Sequence, residues 1–177
     1  MTETVMLDAY GTLTEPTTLT IQRHLPGPIE RVWAYLTDED LRRKWFAAGA
    51  MELKAGAPFE FVWRNDELTD PPGKRPEGSS PEHRMTCHII EVDPPRRLAF
   101  TFGQAGEVAI DLEPVRDRVL LTLVHRRLPD RGTILKVSPG WHGHLDVLAA
   151  RLAGEQPAPF WDNVARLRKE YEARLPG

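Results

Sequence analysis

The sequence predicts a single α+β domain: a curved antiparallel sheet of about six or seven strands around a long C-terminal helix, with two short helices after the first strand. Three observations carry this. Between Ala50 and His125, apolar residues recur at every second position in short runs divided by turn residues, the pattern of an antiparallel meander. Trp141, Leu145, Leu148 and Leu152 form one helical stripe near the C-terminus. A sheet with one apolar face must bury that face, and this striped helix is the element long enough to cover it.

The chain of 177 residues suits one domain with room for extensions. A hydrophobic share of 41% and a charged share of 28% are ordinary for a globular chain. The net charge of -3 gives no global attraction to nucleic acid or anionic lipid. No apolar run is long enough to span a bilayer. Met1-Thr2-Glu3-Thr4-Val5 lacks the basic start and apolar stretch of a secretion signal. The single cysteine, Cys87, excludes an intrachain disulfide and a cysteine-cluster metal site. The expectation is a cytoplasmic protein without cofactor or metal.

The elements follow in order. From Thr17 to Leu25, Leu19, Ile21 and Leu25 alternate with polar residues, a half-buried strand that places Arg23 on its apolar face. Pro28 suits a first helical position, and Ile29, Val32, Trp33 and Leu36 make a stripe. Thr37 reads as the cap of a second helix, favoured by Asp38, Glu39 and Asp40, with Leu41 and Trp45 on its buried side. Arg42-Arg43-Lys44 reads as a solvated face of that helix. Met51–Lys54 is a short strand, and Phe59, Phe61 and Trp63 alternate in the next. Asn65 to Pro81 is a long, mobile Pro/Gly/Ser-rich hairpin loop, functional or inserted. Strands follow from Arg84 to Val92, through Leu98, Phe100 and Phe102, through Val108, Ile110 and Leu112, and from Val119 to His125, whose buried face stays open. Asp93-Pro94-Pro95 is a turn. Ser138 and Pro139 read as a helix start and Gly154 as its left-handed end. Beyond Pro157, Phe160, Val164, Leu167 and Tyr171 share a helical face that packs on its own domain or against a second copy, so the chain is a monomer or a homodimer. The organisation expected is an arm (1–16), a domain (17–154) and a helical extension (155–177).

Three stretches then carry a resemblance. They are Leu25-Pro26-Gly27-Pro28-Ile29-Glu30-Arg31-Val32-Trp33 with Leu36-Thr37-Asp38 and Trp45, then Glu91-Val92-Asp93-Pro94-Pro95-Arg96-Arg97-Leu98 with Phe100, then Gly140-Trp141 with Leu145 and Leu148. Together, over roughly Thr17 to Gly154, the chain resembles the helix-grip SRPBCC superfamily, also called START-like. Within it the chain is most similar to bacterial homologues of the activator of the heat-shock-protein-ninety ATPase. The resemblance implies a cavity between sheet and long helix, and lipid or polyketide binding, cyclisation or chaperone activation as roles; fold alone does not choose. The large N-terminal chaperone-binding domain of longer relatives has no counterpart in the sequence.

A second resemblance competes. Val5-Met6-Leu7-Asp8-Ala9-Tyr10-Gly11-Thr12-Leu13 resembles the nucleophile loop of haloacid-dehalogenase-type hydrolases. That loop belongs to a parallel sheet, and a meander follows here instead.

The inward faces nominate ligand-binding residues: Phe59, Phe61, Trp63, Leu98, Phe100, Phe102, Val108, Ile110, Trp141, Leu145 and Leu148. Such residues either fill a solid core or line a cavity. Five tryptophans and six phenylalanines make broad walls suited to planar or lipid-like ligands. Arg23 can receive a ligand acid or snorkel to solvent, and His88 lines the cavity or lies outside it. His142 and His144 sit about 200° apart on a helix, too far round to share one metal. His142 and Asp146, four apart, pair weakly at the surface. Cys87 reads as a small buried residue. No nucleophile elbow, phosphate-binding Gly-rich loop or zinc-protease His pair is present. The sequence therefore points to a carrier or sensor of a hydrophobic small molecule. The alternatives are a chaperone-activator-like module with a chaperone partner, and a polyketide cyclase- or aromatase-like enzyme using Arg23, His88 and Asp111.

Overall fold

The computed structural model describes residues 9–175. Its order is β1 (Thr12–Glu15), β2 (Thr18–Pro26), α1 (Ile29–Thr37), α2 (Glu39–Arg42), β3 (Pro58–Trp63), β4 (His83–Asp93), β5 (Arg97–Thr101), β6 (Glu107–Val115), β7 (Arg118–Arg126), α3 (Arg131–Ala153) and α4 (Phe160–Arg174). The seven strands form one antiparallel sheet in the order β1-β2-β7-β6-β5-β4-β3. The N-terminal strands thus lie beside the last strand of the meander, with Leu19 facing His125 and Leu25 facing Val119. β4 changes partner along its length: His83–His88 pair with β3 and Ile89–Asp93 with β5. A register shift between Ile89 and Glu91 marks the change, and a bulge of this kind bends a sheet.

The core lies between the sheet and α3. Leu19, Ile21 and Leu25 of β2, Val119, Leu121 and Leu123 of β7, and Val108, Ile110 and Leu112 of β6 are buried against Trp141, Leu145, Leu148 and Leu152 of α3. This settles the facing of Val119–His125: Leu120 points away from the core and its neighbours point in. α4 lies along the other side of α3, burying Phe160, Leu167 and Tyr171 with Val164 half-buried. A Cβ at Gly143 would stand 2.8 Å from Val164 Cγ2, so the missing side chain lets the two helices meet there.

Several boundaries differ from the expectation. Pro28 is the N-cap of α1 and not its first residue. Thr37 closes α1, its hydroxyl donating to Trp33 O at 2.9 Å, and Asp38 caps α2 by accepting from Asp40 N and Leu41 N. Met51–Lys54 forms no strand; the nearby backbone is held by a bridge between Ala48 and Val62. α3 begins at Arg131, where the Asp130 carboxylate accepts from Thr133 N at 2.7 Å, so Ser138 and Pro139 lie inside it. Pro139 costs the helix one backbone donor but is itself buried, and packing holds the helix through it. The α3 end is as read, with Gly154 at φ +71°.

The first part of the loop between β3 and β4 is anchored on α4, and residues 76–81 are exposed. After one 3-10 turn (Asn65–Glu67), its Thr69 hydroxyl accepts from Phe160 N, Pro72 O accepts from Trp161 N, and Asp66 accepts from Trp161 Nε1 at 2.7 Å. Leu68, within the loop, is itself buried in the core. β1 falls in the segment read as an arm and forms the edge of the sheet. Asp8 of the hydrolase-like motif lies outside the described residues. Gly11 of that motif donates its N–H to the Tyr171 hydroxyl at 2.7 Å, and the sheet is antiparallel, unlike the one that motif serves.

Candidate functional site between sheet and long helix

The concave face of the sheet presents aromatic rings because β3 and β5 put Phe59, Phe61, Trp63 and Phe100 at alternate, inward positions. α3 brings Trp141 down onto them, and the segment after α2 inserts Trp45 and Phe46. Phe46 is the hub. Its ring stacks on Trp141 at 5.0 Å and on Trp45 at 5.2 Å, and meets Phe61 and Trp63 edge-on at 5.1 and 5.3 Å. These are favourable offset and T-shaped geometries.

The rings nearly fill the interior. A void of about 10 Å³ lies among them, room for about a single water, bounded by Leu36, Arg42, Trp45, Phe46, Met51, Phe61, Leu98, Phe100, Ile110 and Trp141. Of the residues nominated from sequence, Phe61, Leu98, Phe100, Ile110 and Trp141 border it. Phe59, Trp63, Phe102, Val108, Leu145 and Leu148 are buried in the surrounding core. Leu36, Arg42, Trp45, Phe46 and Met51 were not nominated. Trp45 was read only as the buried side of the second helix, and Phe46 lies outside any periodic run, which hid it.

Arg42 is a correction. It is 2% exposed, not solvated. Nε donates to Ala47 O, Nη1 to Leu36 O and Thr37 O, and Nη2 to Gly49 O. Burial lowers its pKa to about 10, against the opposing pull of Glu39 and Asp38. His88 is also a correction: it is exposed on the outer face of β4. Asp111 lies outward as well, paired with Arg97 at 2.7 Å.

Arg23 does face α3, where Nη1 meets Asp146 at 2.7 Å and Nη2 donates to Ala9 O. Asp146 also accepts from Asn163 Nδ2 at 2.9 Å. The His142 ring beside it is buried, so the pair expected at the surface, 3.6 Å apart, lies inside a cluster. Tyr171 OH accepts from Gly11 N and shares a second hydrogen bond with His142 Nδ1 at 2.8 Å. Tyr171→Phe is expected to leave both groups without that partner and to lower unfolding stability by about 2 kcal/mol, read from urea midpoints.

The other buried imidazoles are likewise committed. Trp141 Nε1 donates to His125 Nδ1 at 3.0 Å, so His125 Nε2 carries the proton that meets Ala105 O. His144 Nδ1 donates to Trp45 O at 2.9 Å. Desolvation lowers the pKa of all three, to about 4 for His142 and His144. Burial raises the Cys87 thiol to about 11, a poor state for a nucleophile. Among the described residues no three His, Cys, Asp or Glu side chains are placed to hold a metal ion, and no helix is long and apolar enough to cross a membrane. An open groove of about 610 Å³ runs between the β1–β2 turn and the start of α3.

Comparison with known proteins agrees with this architecture. The family model for Activator of Hsp90 ATPase homolog 1-like protein matches residues 26–153. No curated protein matches the chain. A Bordetella parapertussis protein solved by solution NMR is 36% identical, with 96% of this chain and 92% of that one aligned and a TM-score of 0.77. CalU16 from Micromonospora echinospora is 22% identical over 89% of this chain and 86% of its own, at a TM-score of 0.64. The Aha1 dimer from Colwellia psychrerythraea is 14% identical over 76% and 95%, at 0.56. The sheet that grips α3 is thus the SRPBCC helix-grip fold, and the chain belongs to the Activator of Hsp90 ATPase homolog 1-like family.

Proposed function

We propose that the protein binds a hydrophobic small molecule between the sheet and α3, and that the closed interior opens by parting the Phe46–Trp141 stack. The observation that carries this is the composition of the void's wall: nine apolar residues, most of them aromatic, and one buried cation. Separating one ring pair costs about 0.5–1.5 kcal/mol beyond its buried area. A ligand burying on the order of 200 Å² of apolar surface returns about 5 kcal/mol. DynU16, a neighbour 20% identical that shares the fold, is a protein of the dynemicin biosynthetic locus, which agrees with a small-molecule role by analogy of fold.

Binding is favoured over turnover by the polar groups. His88 and Asp111 face outward, and Arg23 is bound to Asp146.

Titrating the labelled protein with decanoate, a flavonoid and an anthraquinone, with indole Nε1–H resonances followed by NMR, tests this. Trp45 Nε1, which donates to Tyr35 O at 2.7 Å, and Trp141 Nε1 are expected to shift. Unmoved resonances across the panel would mean that the rings are a solid core.

A further inference from the structure

Arg42 is the only charged residue on the wall of the interior void, and it sits there at 2% exposure. Among the described residues no carboxylate lies within 4.0 Å of its guanidinium. The nearby Glu39 turns its Oε1 to Gly49 N at 3.0 Å instead. Four backbone carbonyls take the guanidinium donors: Ala47, Leu36, Thr37 and Gly49. A guanidinium has five N–H groups, so four carbonyls leave one donor over, and their dipoles leave the charge itself without an anion. The face of the group rests over the Phe61 ring, 5.4 Å from its centroid. A structural arginine this deeply buried is normally matched by an acid. This one is matched by carbonyls and borders the space where a ligand would enter.

We infer that the interior selects a hydrophobic organic anion, a carboxylate or phenolate, whose acid group lies against Arg42 while its apolar body replaces the Phe46–Trp141 contact. The inference rests on the binding reading above and narrows it to one ligand class. A neutral analogue of the same shape buries the same apolar surface but leaves the cation without its partner. Burial holds the guanidinium below its ordinary range, with Glu39 and Asp38 only partly opposing, which agrees with an incompletely matched charge.

Matched pairs separate the two ideas. The intact protein is titrated calorimetrically above neutral pH with decanoate and decan-1-ol, and with 2-naphthoate and 2-naphthalenemethanol. The arginine Nε–H and tryptophan Nε1–H resonances are followed in parallel. Each acid is expected to bind about tenfold to a hundredfold more tightly than its alcohol, the range of a hydrogen bond to a charged group. The Arg42 Nε–H should shift with the acids only, and Arg42→Met should remove the preference. The wild-type readouts decide even if that variant does not fold. Equal affinities within each pair, or a preference with the Arg42 resonance unmoved, overturn the anion assignment and leave apolar binding standing. Failure of all four probes to move the Trp45 and Trp141 resonances overturns both.

Discussion

Acidification from pH 7 to pH 4 is expected to remove several kcal/mol of stability, most of it before the carboxylates titrate. His144 is buried between the Phe46 and Phe160 rings, and burial lowers its folded pKa to about 4 against an ordinary value of 6.5. Between those values the unfolded chain binds the proton and the folded chain does not. Stability is therefore intact above about pH 6.5 and falls as the pH drops through the window. His144 alone contributes a loss of about 3 kcal/mol by pH 4. His142 is lowered chiefly by desolvation; Asp146 opposes this, and Arg23 and Arg166 reinforce it. His125 is lowered by desolvation against its bond to Ala105. All three push the same way, against a typical total of about 5–15 kcal/mol for a domain. Urea midpoints across the interval, with imidazole titration by NMR, check this. A flat midpoint, or a His144 ring titrating near 6.5, would be incompatible with the buried neutral state.

Replacing Gly49 by alanine is expected to be among the most damaging single-methyl additions at the described glycines. Gly49 has φ +119°, and a Cβ there would stand 1.8 Å from the Glu60 carbonyl oxygen on β3. Neither partner is the flexible end of a side chain. The backbone of Ala47–Gly49 would have to lift off β3, breaking the Ala48–Val62 bridge and moving two of the carbonyls that hold Arg42. A loss of about 3 kcal/mol or more follows from strain and lost bonds together. Gly56→Ala is the control: its φ of +86° disfavours a side chain, but nothing lies within 4 Å, so only about 1 kcal/mol is at stake. Thermal midpoints of the two variants should therefore separate clearly; similar midpoints would contradict the close approach to β3.

Much of this architecture could be read from spacing. Alternation placed the inward residues of β2, β3, β5 and β6, and the stripe from Trp141 to Leu152 placed the covering helix, because both patterns survive wherever one face meets the core. Other features were illegible for identifiable reasons. Asp130 caps α3 ahead of a glycine and a later Ser-Pro, so the local signals point eight residues too late. α2 is a single turn, too short for helical spacing to assign Arg42 a face. His88 sits just before the point where β4 shifts register and changes partner, which breaks the parity that would have put it outside. β1 is four residues with a mostly exposed pattern. Alternation gives the direction of a side chain but not how much room lies beyond it, so the closed interior was beyond the sequence.

The pairing of β2 with β7 has a consequence during synthesis. Leu19 meets His125 and Pro26 meets Arg118, so the second strand waits for a partner made about a hundred residues later. As the chain leaves the ribosome, the apolar side of β2 emerges long before anything can cover it. Apolar surface exposed in this way is prone to aggregation until its partner arrives. Completion of the sheet waits on the emergence of Arg126, and α3 can seal it only afterwards.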